Sequence, residues 1–70
     1  MPIRYSSDEL IRIITKDGWY LVKVRGSHHK YHHPYKPGCV SIPHPKKDVR
    51  QGTATKILKN AGLWAEVFKH

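Results

Sequence analysis

Acidic side chains and cysteine are what this sequence has least of: five Asp plus Glu and a single cysteine among 70 residues, with one Phe and one Met beside them. A lone Cys39 cannot form an intramolecular disulfide, so no covalent framework stands in for a core. No apolar run approaches the ~18 residues of a membrane-spanning helix, and no charged-then-apolar leader opens the chain. A reducing cytoplasm is therefore the expected compartment. A chain of this length buries only about 60% of its unfolded surface and cannot divide into two cores. The expectation is one small domain over residues 1–70, with no internal repeat and no low-complexity tract.

What is abundant is positive charge. Thirteen Lys plus Arg give a formal net charge of +8 and a sequence pI near 9.9, which points to polyanionic partners. Lys23, Arg25, Lys30, Lys36, Lys46, Lys47 and Arg50 all fall in the middle of the chain, while Asp8, Glu9, Asp17 and Glu66 lie in flanking segments. The same middle region holds four of the six histidines, in Gly26-Ser27-His28-His29-Lys30-Tyr31-His32-His33. Histidine can both accept and release a proton near neutral pH, and cations beside it can hold a phosphate. Together they suggest chemistry on nucleic acid.

The local pattern predicts an α+β domain. Ser6 and Glu9 have the spacing of a capping box for a helix from about Ser7 to Lys16, with Leu10, Ile13 and Ile14 on one face, Ile11 at its margin and Gly18 as the stop. Trp19 to Val24 reads as a strand, Gly26-Ser27 as a turn, and His28 to His33 as the returning strand. Pro34 to Gly38 supplies a second turn and Cys39 to Ile42 a short third strand ended by Pro43 and Pro45. A second helix starts at Gly52-Thr53, places Ala54, Ile57, Leu58 and Ala61 on one face, and ends with Gly62. The order α-β-β-β-α, a three-stranded antiparallel meander with both helices on one face, satisfies these elements with short connections. Trp19, Tyr20 and Tyr31 are read as core aromatics rather than base-stacking ligands.

An ordered set of motifs resembles one family. Gly18-Trp19 after the capped helix, Gly26-Ser27-His28, Tyr31 with His33-Pro34, Ile42-Pro43-His44, and Gly52-Thr53 running through Lys56-Ile57-Leu58 to Ala61-Gly62-Leu63 are similar to HicA, the toxin of HicAB toxin–antitoxin systems. The resemblance covers about residues 6–63 and leaves 64–70 as a C-terminal extension. It implies a double-stranded-RNA-binding-domain-like fold, ribonuclease activity on messenger RNA, neutralisation by a HicB-type antitoxin, and a catalytic histidine at His28.

The residues can be weighed without the name. Side chains alternate along a strand, so His28, Lys30 and His32 share one face and His29, Tyr31 and His33 the other. At about 3.3 Å per residue, His28 and His32 stand roughly 13 Å apart, too far for one metal ion. No carboxylates lie near the run, so neither metal nor cofactor is expected. Without a metal-bound hydroxide, the ribose 2′-hydroxyl is the natural nucleophile and His28 its candidate general base. Ser27, Lys30, Lys46 and Lys47 are the candidate phosphate-binding residues, and the start of the second helix offers unpaired N–H groups nearby. His44 is either the proton donor to the leaving oxygen or an ordinary loop histidine; His33 is expected to make a structural hydrogen bond. The expected partners are single-stranded RNA, in particular mRNA, and the antitoxin, with no membrane. A non-catalytic RNA-binding module and a small metal-binding protein remain as alternatives.

Overall fold

The computed structural model describes residues 5–64. The expectations for the tail beyond residue 64 lie outside the described residues. Helix α1 spans Ser7–Asp17, strands β1, β2 and β3 span Tyr20–Arg25, His28–His32 and Val40–Pro43, and helix α2 spans Gln51–Asn60. The sheet is antiparallel in the order β1-β2-β3, so β2 is central and β1 and β3 are edges. The α-β-β-β-α architecture is thus the one the pattern predicts. No helix among the described residues is long and apolar enough to cross a membrane.

Helix α1 begins as its sequence demands. The Glu9 N–H donates to Ser6 Oγ (3.2 Å) and the Ser6 N–H donates back to Glu9 Oε1 (3.1 Å), completing the capping box. Asp8 and Glu9 in the first turn and Lys16 in the last suit the helix dipole. The helix stops at Gly18, which has φ 117°, and a Cβ there would sit 2.9 Å from His33 Nε2. Backbone conformation and close approach both require glycine. Leu10 and Ile14 are fully buried, Ile11 and Ile13 pack at the margin, and Ser7 is buried one turn earlier on the same face.

Helix α2 lacks a side-chain cap at Arg50 and depends on packing instead. Ala54, Ile57 and Leu58 within it and Ala61 just after it are buried, as their spacing predicts. Gly62, at φ 71°, turns the chain so that the Leu63 N–H reaches Leu58 O (2.8 Å). Both helices pack on β3 and on each other, closing a core with Trp19, Tyr31, Val40, Ile42, Val49 and Leu63. Val49 enters that core through a bridge to Tyr5.

Three details differ from the sequence reading. Trp19 lies before β1 rather than in it and is buried, its backbone N–H donating to Ile14 O (3.1 Å). Tyr20 is not core: it is 50% exposed, because the helices cover β3 and leave edge strand β1 open. Cys39 is exposed and precedes β3.

A polar clamp ties the ends of three elements together. His33 Nδ1 accepts from the backbone N–H groups of Tyr35 (3.0 Å) and Lys36 (3.1 Å), which leaves Nε2–H to donate to Asp17 O (2.9 Å). Trp19 packs edge-on against the same ring. Lys36 Nζ then bonds both Asp17 Oδ2 (2.6 Å) and Ala61 O (3.0 Å), joining the C-terminal ends of α1 and α2. A cation that reads in the sequence as part of the basic middle is thus committed to structure.

Two stability outcomes follow from this packing. Leu58→Ala should lower unfolding free energy by about 2–5 kcal/mol, whereas Tyr35→Ala, at a side chain that is 91% exposed, should shift it by less than about 0.5 kcal/mol. Lys36→Met should cost roughly 1–3 kcal/mol by breaking charge-assisted hydrogen bonds, while Lys30→Met on the exposed strand face should not destabilise. Urea melts of the four variants check both, and equal effects of the two lysine substitutions would discredit the clamp.

Candidate active site

Strand β2 is the centre of the site because its pleat separates neighbouring residues. Tyr31 and His29 face the helices: Tyr31 is buried, and His29 packs edge-on against His44 with ring centroids 4.9 Å apart. Burial pushes the Tyr31 phenol above its ordinary value. His28 and Lys30 face the other way, onto the side of the sheet away from α1 and α2, and both are exposed. Half-buried His32 shares that face, opposite Tyr20.

Cross-strand pairing supplies the rest of the site. Arg25 lies opposite His28 and Lys23 opposite Lys30 on β1, and Ser41 lies opposite Lys30 on β3. These five residues, Lys23, Arg25, His28, Lys30 and Ser41, line one depression on the open face. The Gly26-Ser27 turn sets these β1–β2 pairs, and a register shift between Leu21 and Lys23 re-sorts the strand beyond them. Leu21 pairs with Tyr31, on the helix side, while Lys23 pairs with Lys30, on the open side. The bulge at Val22 lets one strand present an apolar residue to one face and consecutive cations to the other.

The turn before His28 is also held. Gly26 adopts φ 58°, and the Ser27 carbonyl accepts from the His44 N–H at 2.7 Å. Behind it, the Ser7 hydroxyl accepts from the Lys46 N–H (2.9 Å) and lies 2.7 Å from His44 Nδ1, while the Ser7 N–H donates to Lys46 O (2.8 Å). The loop after β3 is thereby fastened to the start of α1. Since His28 pairs with Pro43, the next residue, His44, points to the opposite side of the sheet, toward Ser7 and His29. That placement suits the loop-histidine reading of His44 and not the proton-donor one.

Of the residues singled out from sequence, the fold brings His28 and Lys30 together, with Ser27 in the adjoining turn. Lys46 and Lys47 are exposed in the loop fastened to α1 and lie outside the lining of the depression. Lys23, Arg25 and Ser41 are the members that sequence reasoning did not assign to the site. A two-residue turn at Gly26-Ser27 already sets Arg25 against His28 and Lys23 against Lys30, and that hairpin arithmetic is the signal that could have found the two cations. Among the described residues no three His, Cys, Asp or Glu side chains group as metal ligands.

Chemically, the depression is an imidazole set among two lysines, an arginine and a hydroxyl, with no carboxylate among the described residues that line it. Such a surface attracts an anion and sets an imidazole beside it. Comparison with curated proteins finds no match. A family model described as the HicA toxin of bacterial toxin–antitoxin systems matches residues 7–63, which include both helices, all three strands and the whole of this depression. The chain belongs to the HicA toxin family.

Proposed function

We propose that this toxin is a metal-independent endoribonuclease that cleaves messenger RNA in the cytoplasm, with His28 as general base, and that a HicB-type antitoxin neutralises it by covering the same face. The observation that carries this reading is the isolation of an exposed imidazole among Lys23, Arg25 and Lys30, with Ser41 beside them. His28 takes the proton of a ribose 2′-hydroxyl, whose oxygen attacks the adjacent phosphorus as the bond to the 5′-oxygen breaks. The departing oxygen takes a proton from solvent or from a neighbouring ammonium group. Lys30, Lys23 and Arg25 hold the phosphate and stabilise the charge that develops on it. Ser27 and Ser41 offer hydroxyl donors, and Lys46 and Lys47 provide a second, outlying landing place for the backbone. DNA, which lacks the 2′-hydroxyl, survives.

Purified protein incubated with single-stranded RNA in EDTA should leave 2′,3′-cyclic phosphate ends, and should not cut the equivalent DNA. His28→Ala, correctly folded, should slow the reaction roughly 10²- to 10⁴-fold and relieve growth arrest on expression without antitoxin. Full-speed cleavage by that variant would remove His28 as the base. Undiminished RNA binding with no cleavage by either protein would make the chain a binding module.

The cations are separable from the base by salt. Lys23→Ala or Lys30→Ala should weaken RNA binding and reduce the slope of log affinity against log salt by about 0.7 per lost phosphate contact. Lys36→Met should leave that slope unchanged. Fluorescence anisotropy across a salt series reads both, and a slope that responds to Lys36 but not to Lys30 would place the RNA elsewhere.

A further inference from the structure

Strand β1 carries an anomaly that RNA cleavage does not use. All six of its residues are exposed, and Tyr20 (50%), Leu21 (48%), Val22 (44%) and Val24 (53%) are four of the five large exposed hydrophobic side chains among the described residues. Apolar exposure concentrated on a single edge strand suits an interaction edge. Among the described residues β1 pairs only with β2, so its outer edge presents backbone N–H and C=O groups that another strand can satisfy. Pairing also sorts its side chains: Leu21 and Val24 lie on the helix side, and Lys23 and Arg25 on the side of the His28 depression.

We propose that the outer edge of β1 is the docking strand for the antitoxin, which adds an extended segment as a fourth strand, with acidic side chains toward Lys23 and Arg25 and apolar ones toward Leu21 and Val24. The inference deepens the reading of the antitoxin as a cover over the site, and it rests on that reading. Three features select this occupant. Tyr20, opposite His32 on the open face, could stack a base, but Leu21, Val22 and Val24 are aliphatic and offer no planar surface on which a nucleobase stacks, so RNA does not account for these three. A second copy of this chain would bring its own Lys23 and Arg25, and a net charge of +8, against the same cations. An acidic strand meets no such penalty, and alternation lets it bury apolar side chains on one face while neutralising charge on the other. The added strand lies beside Lys23 and Arg25 and so interposes carboxylates where a phosphate would enter. Lys23 and the Val22 bulge guard the edge against indiscriminate pairing.

Amide hydrogen exchange on the full chain carrying His28→Ala, alone and bound to its cognate antitoxin, tests the proposal. The outward amides of Tyr20–Arg25 should exchange rapidly in the free toxin and slow by at least roughly tenfold in the complex. Val24→Lys, at a position outside the RNA site, should weaken antitoxin binding about tenfold while RNA cleavage and the thermal midpoint stay unchanged. Protection confined to the helices or to β3, or β1 amides already protected in the free chain, would overturn it. So would equal antitoxin affinity in the Val24→Lys variant, protection of β1 by RNA alone, or concentration-dependent self-association that protects β1. The exchange result does not depend on catalysis: if wild-type protein fails to cut RNA while β1 is protected by antitoxin, the nuclease reading falls and the docking edge stands. If the nuclease is active and antitoxin leaves β1 unprotected, the docking edge falls and the nuclease reading stands.

Discussion

The pleat of β2 is the constraint on which the site depends. Strand β2 alone is paired on both sides, so its register is set twice, once by β1 and once by β3. Tyr31 can be buried against Val40 and Ile42 only if His29 shares its face, and that leaves His28 and Lys30 to the opposite one. A slip of one residue would turn Lys30 into the core and Tyr31 into solvent, which the burial of a whole tyrosine side chain opposes by several kcal/mol, on the order of 2–3. The orientation of the His28 imidazole is thus a by-product of core packing, and no separate interaction has to aim it.

Charge is distributed in the same divided way. Asp8, Glu9 and Asp17 sit on α1, where they serve the helix terminus and the clamp with Lys36. None lines the open face of the sheet, so the field of Lys23, Arg25 and Lys30 is not neutralised there. This arrangement works against the sheet itself. Lys23 directly faces Lys30, and like charges opposed across strands are unfavourable by a few tenths to about 1 kcal/mol. A fold selected for stability alone would alternate signs at these positions. Retaining repulsion on adjacent strands makes sense where an anion is to be bound, since the bound phosphate relieves the repulsion as it forms its contacts.

Much of this was readable from the residues. The capping box at Ser6 and Glu9, the buried faces of both helices and the meander order are local signals, each carried by spacing or turn chemistry within a few residues, and the observed elements follow them to within about two residues. The split of the histidine run into two faces follows from strand period alone. What was less readable depended on long-range choices. Tyr20 has the composition of a core residue, and its exposure results from both helices settling on β3 rather than across the whole sheet. The bulge at Val22, which turns Leu21 and Lys23 to different faces, has no signature in a single sequence. Lys36 looks like any other cation until Asp17 and Ala61, 19 and 25 positions away, are brought to it.

The two histidines at the ends of the run show why composition cannot separate structural from chemical roles and hydrogen bonding can. Both nitrogens of His33 are engaged, Nδ1 by two backbone N–H groups and Nε2 by the Asp17 carbonyl, so moving a proton at either one means breaking the clamp that joins the helix ends. A base so tied would unfasten the domain each time it turned over. His28 sits in an exposed turn-to-strand position whose backbone is held by the Ser27 to His44 hydrogen bond while its ring faces the basic depression. A fixed backbone under an unencumbered ring is the combination that the proposed general base needs. Gly18 belongs to the same logic, since its missing side chain is what lets His33 reach Asp17 and so commits that imidazole to structure.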